Sequence, residues 1–295
     1  MLASFVTDKP TWAIIGLVFA FWMLAWHVND QLSLEAAFAE KRGRLFGLLA
    51  PIVFGAVLLF IWETLVRGLD VSPVIVPPPS QIAARFASST DILWADFLQT
   101  MKGMVAGYII GCAVGFLTAI AIDRSPFLTR GLLPIGNLVA ALPIIGVAPI
   151  MVMWYGFDWH SKAAVVIIMC FFPMLVNTVE GLQAADRMQK DLMRTYAASY
   201  WQGMMKLRLP AAAPFIFNGL KICSTLALIG AIVAEFFGTP IVGMGFRIST
   251  EVGRMNVDMV WAEITVAAIV GSAFYGIIAL IERTATFWHP SQRGK

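Results

Sequence analysis

Charge is what this sequence has least of. Only 13% of its 295 residues are Asp, Glu, Lys or Arg, while 59% are hydrophobic. A soluble domain carries about 25% charged residues, and it has no interior large enough to hide such an apolar excess. A soluble globule is therefore excluded, and intrinsic disorder is excluded by the same figures. Cysteine is scarce too. Cys112, Cys170 and Cys223 are far apart in sequence, each within an apolar run, which argues against a disulfide framework and against a metal site. The three histidines, His27, His160 and His289, stand near the ends of apolar runs and read as interfacial. No Gly-x-x-x-x-Gly-Lys-Ser/Thr phosphate loop occurs, so this chain does not cradle ATP phosphates itself. No nucleophile–base pair stands out in the loops. Neither enzymatic activity nor a cofactor is expected, and a net charge of +3 gives no reason to expect a nucleic-acid partner.

What is present is length of apolar sequence, with a mean hydropathy of +0.78. The runs are continuous rather than alternating, as in membrane-spanning helices. Seven spans are predicted, over residues 11–28, 45–66, 99–122, 132–154, 163–182, 214–237 and 260–281. The expected fold is all-α and polytopic. The first run is read as a span rather than a removed leader: Lys9 is offset by Asp8, no clear cleavage site follows, and Trp12, Trp22 and Trp26 are suited to anchoring at an interface. A polar linker is expected from 29 to 44. Pro77-Pro78-Pro79 cannot be helical, and Ser80 is expected to cap a short helix over 81–88.

Two spans carry unusual residues. Gly103, Gly107, Gly111 and Gly115 recur every fourth position and share one helix face. Such a face lets a second helix approach closely, either within the chain or across a dimer, and the intrachain seam is the weightier reading. The 132–154 run holds Pro134, Pro143 and Pro149 with Gly136 and Gly146, which predicts a kinked or broken helix beside a transport pathway.

Basic residues set the orientation. If the long polar loop over 183–213 is cytoplasmic, thirteen Lys and Arg residues fall on its side and six on the other. The positive-inside rule then puts the N-terminus outside and the C-terminus inside. Within the loop, Met193, Tyr196, Ala197, Tyr200, Trp201 and Met204 recur at helical spacing, which predicts one short amphipathic helix ended by Leu209-Pro210. Three readings of it stay open on these residues: it lies on the membrane surface, packs beneath its own bundle, or enters a groove on a soluble partner.

The loop resembles the cytoplasmic motif of binding-protein-dependent ATP-binding-cassette importers, Glu-Ala-Ala, three residues, Gly, nine residues, Ile, one residue, Leu-Pro. Anchored on Leu209-Pro210, the motif's Ile falls on Leu207, its Gly on Ala197, followed by Ala198, and its Glu-Ala-Ala on Asp191-Leu192-Met193. The resemblance extends over about 45–290, through Pro77-Pro78-Pro79-Ser80, through Thr100 with the glycine ladder, through Ala234-Glu235 followed by Gly243-Met244-Gly245, and through Glu282-Arg283 with Trp288. It looks like the permease subfamily handling nitrate, sulfonates, taurine, bicarbonate and related compounds, and permeases for pyrimidine or thiamine precursors look like this too.

That resemblance implies a six-helix permease core over 45–295 and sets residues 1–44 apart as an extra N-terminal span with a linker. It implies a multi-pass protein of the bacterial inner membrane, surrounded by lipid and paired with a second copy of itself. A separate cytoplasmic ATPase would engage the loop through Asp191, Ala197, Ala198, Trp201, Leu207, Leu209 and Pro210, and a periplasmic solute-binding protein would deliver a small polar solute. Among acids in or near spans, Glu63 and Glu282 are expected to snorkel or pair. Glu235 is placed, with Pro143, on the translocation pathway or its outer gate, or alternatively in a pair with Arg247 or Arg254. Two rival classes remain: an ion-coupled secondary transporter and a membrane scaffold that docks a cytoplasmic partner.

Overall fold

The computed structural model describes residues 9–38, 43–125, 127–128, 131, 143–238 and 241–287. Among these the chain is helical, with helices α1 (Lys9–Phe38), α2 (Gly43–Gly68), α3 (Pro79–Ser88), α4 (Thr90–Asp123), α5 (Ile144–Tyr155), α6 (Trp159–Gln183), α7 (Arg187–Thr195), α8 (Tyr200–Gly203), α9 (Leu209–Phe236), α10 (Met244–Gly253) and α11 (Val257–Ala285). Among the described residues, six stretches of helix are long and apolar enough to cross a membrane: 12–31, 49–68, 90–123, 159–183, 200–236 and 257–285. This is a multi-pass membrane protein. Of the predicted fourth span, 132–142 lies outside the described residues, with Pro134 and Gly136. Its described part is the 12-residue α5, which starts after Pro143. The expected linker over 29–44 is corrected in part, because α1 stays helical to Phe38.

The chain divides into two compact units. The first comprises residues 1–90 and 251–262. Phe21 meets Phe60 with ring centroids 4.9 Å apart, and a Cβ on Gly68 would stand 3.0 Å from Ile14. As the number rises on α1 it falls on α2, so the two run antiparallel. Trp12, Leu17, Leu24 and Trp26 face outward on α1, as suits a helix bathed in lipid. Ser80 does not cap α3. The helix begins at Pro79, whose missing N–H costs nothing in a first turn. Ser80 instead bonds Glu63 with both its N–H (2.9 Å) and its hydroxyl (2.7 Å), while Glu63 also pairs with Arg67.

The second unit, residues 91–250 and 263–295, holds the main core. Met104, Tyr108, Val166, Met174, Ala227, Ala231 and Met244 are packed together there. The glycine ladder fixes its geometry. A Cβ on Gly103 would lie 2.8 Å from Lys162 Cβ, on Gly107 2.7 Å from the Ala163 carbonyl, on Gly111 2.9 Å from the Ile167 carbonyl and on Gly115 2.6 Å from the Phe171 carbonyl. Side chains have no room at these four positions, so the backbones of α4 and α6 touch along an intrachain seam. Each step of four on α4 matches a step of four on α6, so the two helices are parallel.

Candidate functional site

Two polar clusters stand at opposite ends of the second unit. The first forms where α9 ends and α10 begins. Glu235 is 1% exposed. It accepts the Thr100 hydroxyl at 2.9 Å and the Gly245 N–H at 2.8 Å. Asp96, one turn before Thr100 on α4, accepts the Gly243 N–H at 2.6 Å and Arg247 Nε at 2.8 Å. The Met244 N–H donates to Thr100 Oγ1 at 2.9 Å. Three successive N–H groups at the start of α10 thus meet two carboxylates and a hydroxyl. A helix start leaves these donors without intrahelical partners and carries a partial positive charge, and carboxylates answer both. The glycines follow from this closeness. Gly243 has φ +140°, and a Cβ there would lie 2.7 Å from Glu235 Oε1.

Glu235 therefore takes its hydrogen bonds from Thr100 and a helix start. The arginines considered for it pair elsewhere, Arg247 with Asp96 and Arg254 with Glu251. Nearby, Lys162 is buried rather than lying in a loop, donating to the Phe157 carbonyl at 2.6 Å and to that of Gly238. Glu263 on α11 is fully buried, and neither of its carboxylate oxygens has a hydrogen-bond partner among the described residues.

The second cluster holds the 183–213 loop. Asp123, the last residue of α4, takes the Arg208 guanidinium through both oxygens, at 2.5 and 2.6 Å, and the Tyr200 hydroxyl at 2.9 Å. Arg208 Nε also donates to the Leu182 carbonyl at 3.1 Å. One guanidinium thereby ties the loop to the ends of α4 and α6, and a bidentate pair fixes orientation as well as distance. Arg124 lies over the rings of Tyr200 and Trp201, 4.4 and 4.9 Å from their centroids. A reciprocal Ser199–Gln202 capping box starts α8.

The loop's local structure corrects the expected single amphipathic helix. The chain breaks between α7 and α8, where Ala197 adopts φ +51°. It does not end at Leu209-Pro210. A π turn over Met204–Arg208 carries it directly into α9. The wider π register accommodates a proline that has no N–H to offer an α-helical ladder. The expected apolar stripe also splits. Met204 is buried with Leu182 and Ala212, whereas Tyr196 and Trp201 stay exposed with Met188, Leu192 and Met205. Asp191 is exposed and pairs with Arg194 at 3.3 Å; Ala198, Leu207, Leu209 and Pro210 are half-buried. Pro143 is exposed at the start of α5. At the other predicted pair, Glu282 meets Lys221 at 2.7 Å. Trp288 and His289 lie outside the described residues.

Sequence reasoning passed over Asp96, Asp123 and Glu263. A lone carboxylate inside the predicted span over 260–281 is the signal that points to Glu263. Asp96 and Asp123 gave no such signal, since acids beside a span read as ordinary loop polarity.

The sequence profile of the family described as binding-protein-dependent transport system inner membrane component matches residues 107–286. Similar curated proteins include a probable ABC transporter permease protein of Haemophilus influenzae, 28% identical over 77% of this chain and 93% of the relative. A formylaminopyrimidine transport permease protein of Halalkalibacterium halodurans is 28% identical over 84% of this chain and 99% of its own. A putative aliphatic sulfonates transport permease protein of Bacillus subtilis is 28% identical over 88% and 94%. The matched region takes in most of the glycine seam, the anchored loop and the junction at Glu235. The chain belongs to the family of inner membrane components of binding-protein-dependent transport systems, and is a permease of the ABC importer type.

Proposed function

We propose that this chain is the membrane-spanning subunit of an ATP-driven importer whose ATPase is a separate cytoplasmic protein. The observation that carries the reading is the second polar cluster. Asp123 and Arg208 fasten the loop to α4 and α6, while Met188, Leu192, Tyr196, Trp201 and Met205 remain uncovered beyond it. A docking element needs both features: apolar side chains to enter a groove on the partner and a stiff link from them to the transport helices. Closure of an ATPase pair would pull on the loop and move α4 and α6 together. Two copies of the chain would enclose the pathway. The loop and the C-terminus would face the cytoplasm, and a periplasmic solute-binding protein would deliver the solute. Residues 45–295 would form the permease core, with 1–44 an added span beside it. Glu235 and Pro143 remain candidates for the pathway or its outer gate.

The substrate class proposed is a small polar solute, either an anion or a pyrimidine-like compound, in keeping with the names of the relatives for formylaminopyrimidine and aliphatic sulfonates. One observation favours a second reading, ion-coupled transport without an ATPase: Glu263 is buried within a span, and its oxygens have no hydrogen-bond partner among the described residues. Uptake into vesicles holding the chain with the ATPase and binding protein of its own transport system separates the two. Uptake that requires ATP supports the importer. Uptake driven by an ion gradient alone, in the absence of the ATPase, selects the alternative.

A further inference from the structure

Three cysteines distant in sequence converge at the centre of the second unit. Cys112 on α4, Cys170 on α6 and Cys223 on α9 are all buried, with their sulfurs within 4.8 Å of one another. Their spacing in sequence hid this, because each comes from a different helix. Cys170 and Cys223 each aim Sγ at the other's backbone carbonyl, at 3.5 and 3.2 Å. The trio lies among the buried apolar side chains Met104, Val166, Met174 and Ala227. The glycine seam holds two of the three in place, since a Cβ on Gly111 would stand 3.0 Å from Cys170 Cβ.

We propose that this trio is a binding site for a trivalent thiophilic metalloid, arsenic(III), which joins α4, α6 and α9 through three sulfur bonds. Charge decides among the soft ions. Three thiolates around Cu(I) leave two negative charges, and around Zn(II) one, whereas around As(III) they leave none. An uncompensated ion in such an interior costs several kcal/mol, so the neutral complex is favoured. Binding is a ligand exchange between arsenous acid, As(OH)3, and three thiols. Three As–O and three S–H bonds break, three As–S bonds form and three water molecules leave. No electron changes hands and no oxidant is needed. Arsenous acid is itself uncharged at neutral pH, so it pays no ionic penalty on entering. Sulfurs sharing a pyramidal centre through bonds of ~2.3 Å stand about 3.5 Å apart. The sulfurs already lie within 4.8 Å of one another, and the closure that remains is not resisted by the weak contacts of sulfur with carbonyl oxygen.

The test uses the purified full-length chain in lipid nanodiscs, reduced, exposed to arsenite and freed of excess reagent. One arsenic per chain should be retained, with three sulfur neighbours in X-ray absorption and loss of all three titratable thiols on denaturation. Cys112→Ser, Cys170→Ser and Cys223→Ser should each weaken retention by about tenfold or more, the effect of losing roughly 1.4 kcal/mol or more of binding. A parallel sample with zinc should retain little. The proposal is overturned if the unmodified chain retains no arsenic, if any single-serine variant retains as much as the parent, or if zinc is held in preference to arsenic.

Discussion

Both ends of α4 are closed by an aspartate, and the two are put to opposite uses. Asp96 and Asp123 stand about 40 Å apart along the helix at 1.5 Å per residue, close to the thickness of a bilayer with its headgroups. Asp96 is buried and meets a helix start and Arg247, packed beside Glu235 and Thr100. Asp123 meets a guanidinium and a phenol that belong to a loop whose apolar side chains remain uncovered. The first end satisfies donors within the unit. The second, on the function proposed above, would transmit force to whatever covers Met188, Leu192 and Trp201. Polar residues at the two ends of one helix thus separate into a closure and a loop anchor, the proposed lever, and the surroundings make the difference rather than the residue type.

The seam between those ends should be the most sensitive place. Gly107→Leu would drive a branched side chain into the Ala163 backbone and should abolish stable assembly, a loss of about 3 kcal/mol or more. Ala106→Leu, next to the seam, should be tolerated; equal yields of both variants in a fluorescence-detected chromatography assay would contradict the seam. Next in size is the closure. Asp96→Asn would break the buried ion pair between Asp96 and Arg247 and should cost about 3 kcal/mol, lowering the melting temperature. At the lever, Asp123→Asn should cost only about 1 kcal/mol of stability, yet uncouple uptake from ATP hydrolysis. A variant of Asp96 that kept full stability, or of Asp123 that kept full coupling, would erase the distinction between the ends. The smallest effect is expected at Ala197. Its positive φ is strained for a side chain, so Ala197→Gly should be neutral or stabilise the loop by up to about 1 kcal/mol, read as slower proteolysis between α7 and α8.

Much of this was legible because it was written in spacing. The four glycines announce a shared face, and Ala234-Glu235 with Gly243-Met244-Gly245 marks a junction whose geometry turns out to be a carboxylate set on a helix start. The loop was legible as amphipathic but not in its shape. Alanine is a strong helix former, so nothing at Ala197 signals a break; tertiary anchoring of Tyr200 and Arg208 at Asp123 overrides local propensity there. Similarly, Leu209-Pro210 reads as a helix end, because a single π turn leaves no mark in sequence. The cysteines were least legible of all, since their meeting is a property of helix rotation and not of spacing along the chain.

The central claim is that the uncovered side of the anchored loop is where a separate ATPase docks. Co-purification of the ATPase subunit of the same transport system tests it most directly, comparing the parent with Trp201→Ala at matched membrane expression. Trp201 is 53% exposed and its ring meets Arg124 and Tyr200 at the surface, so its loss leaves no buried cavity and folding should be little changed. A docking anchor should lose about 2 kcal/mol of binding, roughly a thirtyfold drop in affinity. That loss, with an unaltered melting temperature, is the result predicted. Undiminished recovery of the ATPase by Trp201→Ala, and by a second variant carrying Leu192→Ala as well, would contradict the account.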